Sequence, residues 1–192
     1  MIQPQRIRDL NQRPIREGRY VLYWMQASQR ARFNHALEYA VRGANLQDIP
    51  VVVLFVLTEK FPEANLRHYG FMLEGLEEVA RNLEERDILF IARCGSPEKD
   101  VPDLSGDAAM VVTDRGYLRL QKAWRRRVAE KSPCRARSSR FDAAAVGCGS
   151  PAILNRRPHR VARFVLSRRN VESGKIPGPV YRPRVEILSR NA

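Results

Sequence analysis

Val51-Val-Val-Leu-Phe-Val-Leu57 is an unbroken apolar run of strand length, opened by Pro50 and followed by the polar Thr58-Glu59-Lys60. A strand with one wet face alternates apolar and polar residues, whereas a strand covered by helices on both faces reads as a continuous β-branched run. The run therefore predicts a parallel sheet sandwiched between helices, with 51–57 at its centre. Upstream, Tyr20-Val-Leu-Tyr-Trp24 is a second buried strand, bounded by Gly18 and by the polar Gln26-Ala-Ser-Gln29. From Arg30 the period changes: Phe33, Leu37, Ala40, Val41 and Ala44 mark one face of a helix that ends near Asn45.

Downstream, Leu66, Tyr69, Leu73, Leu76, Ala80 and Leu83 mark a second amphipathic helix with Asn65 as its cap and an acidic outer face. Ile88–Ala92 is a third strand. Ser96-Pro97-Glu98 carries a capping hydroxyl, a proline at the first helical position and an acid at the positive helix end. Ala109–Thr113 is a fourth strand, and Asp114-Arg115-Gly116 turns the chain into a helix over 117–131 whose Leu120, Trp124 and Val128 share a face. Strand and helix alternating four times give an α/β, open doubly wound parallel sheet of the Rossmann-like kind. Its ligand crevice lies beyond the carboxyl ends of the strands.

Charge divides the 192 residues in two. Residues 1–120 balance 16 Lys and Arg against 17 Asp and Glu, while 121–192 carry 18 against 4, so the whole net charge of +13 resides at the carboxyl end. The expected organisation is an α/β domain over 1–131 and a basic Arg-rich tail over 132–192. No apolar run reaches the roughly 18–20 residues of a membrane span, and Met1–Leu10 lacks the apolar stretch of a signal peptide, so the expectation is a protein with no membrane partner and a cytoplasmic address. Cys94, Cys134 and Cys148 form no CxxC pair and read as reduced thiols; His35, His68 and His159 are too scattered to hold a metal. GxGxxG, GxxxxGK[ST] and GxSxG are all absent, which argues against a nicotinamide oxidoreductase, a P-loop NTPase and an α/β-hydrolase.

Gln26, Arg30 and Asn34 recur every fourth residue at the first strand's carboxyl end, on the opening turns expected for the first helix. They read either as the polar edge of a pocket whose face is packed by Trp24 and Met25, or as helix-surface residues. Glu63–Tyr69 reads either as a second site or as a capped helix start with Tyr69 buried.

At these residues the chain resembles the amino-terminal α/β domain of class II cyclobutane-pyrimidine-dimer DNA photolyases. The likeness runs from about Arg6 to Val128. It is carried by Tyr20–Met25 with Gln29-Arg30 and Asn34–Leu37, by Pro50–Val53 with Phe55–Thr58, by Pro62–Tyr69 leading into Phe71–Leu76, and by Val112–Arg119 with Trp124. The resemblance implies light-driven repair of cyclobutane pyrimidine dimers in damaged DNA, with flavin adenine dinucleotide (FAD) on a separate helical domain and a deazaflavin-like antenna chromophore on this one. By the matching motifs, the expected antenna contacts are Trp24, Met25, Arg30, Asn34 and Leu57, with Arg67 as an antenna or interdomain contact; no catalytic or metal residue is expected here.

After Lys131 the family's fifth strand is expected to be missing, and the chain reads as a truncated photolyase that lacks the FAD-binding domain and is inactive alone. Residues 132–192 read as an out-of-frame continuation, as a solvated tail, or as a basic arm. In the last case residues 121–192 form a stand-alone module binding nucleic acid non-specifically, with Phe141, Phe164 and Tyr181 stacking on bases. Arg182-Pro-Arg184 resembles a segment at the end of the family's domain.

Overall fold

A computed structural model describes residues 2–59 and 61–139. Phe141, Cys148, His159, Phe164, Tyr181 and Arg182–Arg184 therefore lie outside the described residues, as does the part of the expected basic module after Ser139. After a short 3-10 turn at Pro4–Arg6 the elements run β1 Ile7–Asp9, β2 Tyr20–Met25, α1 His35–Gln47, β3 Val51–Leu57, α2 Leu66–Glu84, β4 Leu89–Cys94, α3 Pro97–Ser105, β5 Ala108–Asp114, α4 Arg119–Lys131 and β6 Arg135–Ser139. They build one six-stranded sheet of order β1-β6-β5-β2-β3-β4, parallel except for the antiparallel edge pair β1 and β6. None of the described helices is long and apolar enough to cross a membrane.

Successive side chains of a strand point to opposite faces, and the core divides accordingly. Val21, Tyr23, Val53 and Phe55 pack with Ala40 and Val41 of α1 and Leu76 and Leu83 of α2. Leu22, Trp24, Leu54 and Val56 pack with Val101 of α3 and with Trp124 and Val128 of α4. Two helices thus cover each face. The chain builds outward from β2 through β3 to β4, then crosses back by α3 to place β5 on the other side of β2. The direction of winding reverses between β2 and β5, where such folds open a crevice.

Four expectations are corrected. The central pair is β2 and β5, and β3 lies one strand in from the β4 edge; its apolar run reflects cover on both faces, which does not require the middle position. Helix α1 does not begin at Arg30. Asn34 is its N-cap, with an extended backbone and a side-chain oxygen accepting from the Leu37 N–H, and Phe33 before it is left-handed (φ 52°) and exposed. The Ser96 hydroxyl makes no capping bond to α3. Finally, the fifth parallel strand is present: Arg135–Ser139 pairs with Met110–Asp114 of β5.

The segment between β1 and β2 is bound to the sheet's opposite end. Asn11 donates to the carbonyls of Ala129 and Cys134 and accepts from the Ala136 N–H. The Arg13 guanidinium donates to the Ser132 and Glu130 carbonyls at the end of α4. Arg16 donates to those of Ser105 and Gly106 at the end of α3. Both cations thus satisfy helix-terminal carbonyls and oppose the negative end of the helix dipole.

Candidate functional site

At the carboxyl ends of β2 and β3 the sheet opens into a cleft of about 220 Å³. Trp24 and Met25, adjacent on β2, belong to opposite faces of the sheet, so together they form a floor across its end. Leu57 and Thr58 close β3's side. The first turns of α2 supply His68, Tyr69 and Met72, and α4 supplies Gln121 and Trp124. Phe61 completes the wall, tilted 56° against Trp124 at 6.3 Å between ring centres.

Local chemistry fixes these walls. The Tyr69 hydroxyl lies 2.8 Å from the Thr58 carbonyl and 3.0 Å from that of Glu59, tying the β3–α2 loop to the helix. Asn65 and His68 form a reciprocal cap. The Asn65 side chain accepts from the His68 N–H and the His68 Nδ1 accepts from the Asn65 N–H, which leaves Nε2 as the ring's remaining polar atom. Gln26 is held at both ends of its amide: Nε2 donates to the Gln121 carbonyl at 3.1 Å and Oε1 accepts from Arg125 at 2.8 Å. Arg125 also donates to the Gly116 carbonyl at 2.6 Å. Burial pulls the Arg125 pKa below its usual value, and the nearby Arg115 guanidinium adds to that shift.

Beside the first cleft lies a second, of about 470 Å³, at the β2/β5 reversal. Arg30 and Arg115 line it together with Ser28, Gln29, Tyr117 and Gln121; Gln29 and Gln121 line both clefts. Beneath the β2 loop the buried Asp114 carboxylate accepts the backbone N–H groups of Gln26, Ala27 and Ser28 at 2.7, 2.6 and 2.7 Å. Three successive amides converging on one anion form a nest, and here the chain fills that nest itself. The Tyr23 hydroxyl donates to Asp114 at 3.2 Å and accepts from the Asn34 amide at 2.9 Å. Burial, reinforced by the Asp114 charge, pushes the Tyr23 phenol well above its ordinary range.

The six residues singled out by sequence are thus dispersed over the site. Trp24, Met25 and Leu57 line the first cleft and Arg30 the second. Asn34 is buried under the loop, its amide donating to Tyr23, Ser28 and Arg30 while its oxygen caps α1. Arg67 is exposed on the first turn of α2 and lines neither cleft. Sequence reasoning missed Asp114 as the loop's anchor, the donors and acceptors of Gln121, and the Phe61 and Met72 walls. Among the described residues no group of three or more His, Cys, Asp or Glu is placed to hold a metal ion.

The model of the DNA photolyase family matches residues 21–146, about two thirds of the chain and all five parallel strands but the first residue of β2. This chain belongs to the DNA photolyase family. A deoxyribodipyrimidine photo-lyase of Methanothermobacter thermautotrophicus is 51% identical over 125 residues, covering 65% of this chain and 28% of that protein. The photolyases of the same name from Potorous tridactylus and Arabidopsis thaliana are 38% and 36% identical, covering 58% and 62% of this chain and 21% and 25% of their own lengths. The chain thus spans about a quarter of the length of the curated photolyases it matches.

Proposed function

We propose that this is the antenna domain of a class II deoxyribodipyrimidine photolyase, with a planar, deazaflavin-like chromophore held in the first cleft. The observation that carries the reading is the cleft itself: Trp24, Phe61, Tyr69 and Trp124 gathered with Met25, Leu57 and Met72 at the carboxyl ends of β2 and β3. An aromatic and thioether lining offers flat, polarisable surface to a conjugated ring and keeps water from it. The glutamine amides at the rim and His68 Nε2 supply the few directional polar groups that orient a heteroaromatic ligand. A bound antenna absorbs light and passes its excitation onward. The protein's part is to fix the ring and exclude solvent, which needs no general acid, base or nucleophile in the cleft.

On this reading the whole activity is the repair of cyclobutane pyrimidine dimers in DNA, in the cytoplasm, with FAD held by a further domain that packs against the cleft side. Titrating the protein with 5-deazariboflavin tests the local claim. Saturable quenching of the chromophore, weakened about tenfold or more by Met72→Asp, supports it, because the substitution sets an unpaired carboxylate against the ring. Absence of saturable binding in the unmodified protein removes it.

The 18 Lys and Arg against 4 acids in residues 121–192 favour a second reading, a basic module that binds nucleic acid through phosphates. It predicts retention on DNA that falls steeply with salt and is lost when the segment after Ser139 is deleted.

A further inference from the structure

The first cleft alone is smaller than the roughly 300–1,000 Å³ of an ordinary small-molecule site, and the adjoining second cleft brings the pair within that range. The two differ sharply in chemistry. One is aromatic; the other presents two guanidinium side chains, Arg30 and Arg115, and no carboxylate among its lining residues. They meet at Gln29 and Gln121, which line both. A ligand that fills both clefts has an aromatic end and an anionic end, joined by a polar linker that passes between two amides.

Three observations say that the second cleft is built for an anion rather than merely bordered by surface arginines. Among the described residues, Arg115 makes no hydrogen bond and no ion pair, although it directly follows the Asp114 carboxylate in sequence. That carboxylate serves the 26–28 amides and Tyr23. Arg115 is also close enough to the buried Arg125 to disfavour its charge, and Arg125 is fixed by Gln26 and the Gly116 carbonyl. Asp114 offsets part of that repulsion, and an anion bound in the cleft offsets more of it. The forked guanidinium is also the side chain best matched to phosphate or carboxylate oxygens.

We infer that the ligand of this domain carries an anionic tail, a phosphate or carboxylate on the side chain of its ring system, and that Arg30 and Arg115 hold that tail in the second cleft. The inference rests on the antenna reading for the ring and adds the class of the tail. Because Asp114 occupies the backbone nest, the tail is read by side chains alone, so its contribution is strongly dependent on the two arginines and on salt.

Parallel titrations of the full chain with riboflavin and with riboflavin 5′-phosphate test it, since the two differ only in the anionic group. The expected result is about tenfold or more tighter binding of the phosphate at low salt. That advantage shrinks as salt rises and disappears in Arg30→Gln/Arg115→Gln, read as the ratio of the two ligands' affinities in the same variant. Arg42→Gln, on the exposed side of α1, leaves the advantage intact. Equal affinities for the two ligands overturn the anionic tail and leave the ring site standing. An advantage that survives the double substitution overturns it too, because the attraction then comes from the basic carboxyl-terminal charge. Binding of neither ligand overturns both the tail and the ring site.

Discussion

Asp114 organises the site from beneath. Its carboxylate is the acceptor for three consecutive amides, and the loop that follows β2 takes its path from those bonds. Removing the acceptor leaves donors in or near the protein interior unsatisfied, each costing about 1–3 kcal/mol where water cannot reach. Asp114→Ala is expected to destabilise the domain by about 2–4 kcal/mol, measured by urea unfolding; a loss below 1 kcal/mol would show that the loop is held by other contacts. Tyr23 gives a prediction with a definite sign. Its folded-state pKa is raised, so the stability it contributes is complete below the unfolded value of about 10 and is lost as pH climbs above that value. Tyr20, pushed up to about 12 by burial and by Asp107, acts in the same direction. The unfolding free energy of the unmodified protein is therefore expected to fall more steeply above pH 10 than that of Tyr23→Phe, and parallel curves would contradict the assignment.

The elements show where local pattern suffices and where it does not. Strands β2 to β5 and the positions of α1 to α4 were legible because each carries an apolar period that burial enforces. The start of α1 differs from the expectation because the apolar period counts Phe33, which is exposed and left-handed in the fold, as a helix position, and so sets Gln26, Arg30 and Asn34 on the helix. In the fold the first two belong to a loop, and only the third touches the helix, as its cap. Strand β6 escaped notice for a different reason. Its buried positions are Ala136, Ser138 and Ser139, while Arg135 and Arg137 reach Asp9 on β1 and the Arg13 carbonyl, so the strand carries almost no hydrophobic signal. Of the candidate cleft, Trp24 and Met25 are legible as residues at a strand end and Leu57 through the family resemblance, whereas Asp114 and Gln121 act through tertiary contacts with residues nearly 90 positions away or more.

Without β6 the edge of β5 stands open, and unpaired edges seek other chains. A chain ended after Lys131 is expected to aggregate at concentrations where one ended after Ser139 stays monomeric by light scattering. On α2, a Cβ added at Gly75 meets no atom within 4 Å. Gly75→Ala is expected to raise stability by about 0.5–1 kcal/mol through helix propensity. A destabilised variant would mean that the outer face of α2 is packed against something in the protein as it exists.

At the scale of the molecule, topology and chemistry converge on one end of the sheet. The winding reverses between β2 and β5, the loops after both strands are stitched together by Asp114, and the aromatic and cationic clefts open side by side there. At the opposite end Arg13 and Arg16 lie over the helix termini, bound to their carbonyls. Membership of the photolyase family and this one-ended arrangement are what support the proposed chromophore site. The most direct test is a crystal structure of the protein grown with 5-deazariboflavin. Density for the ring is expected between Met72 and Trp124, over the Trp24-Met25 floor; ordered chromophore anywhere else, with this cleft filled only by water, would contradict the antenna assignment.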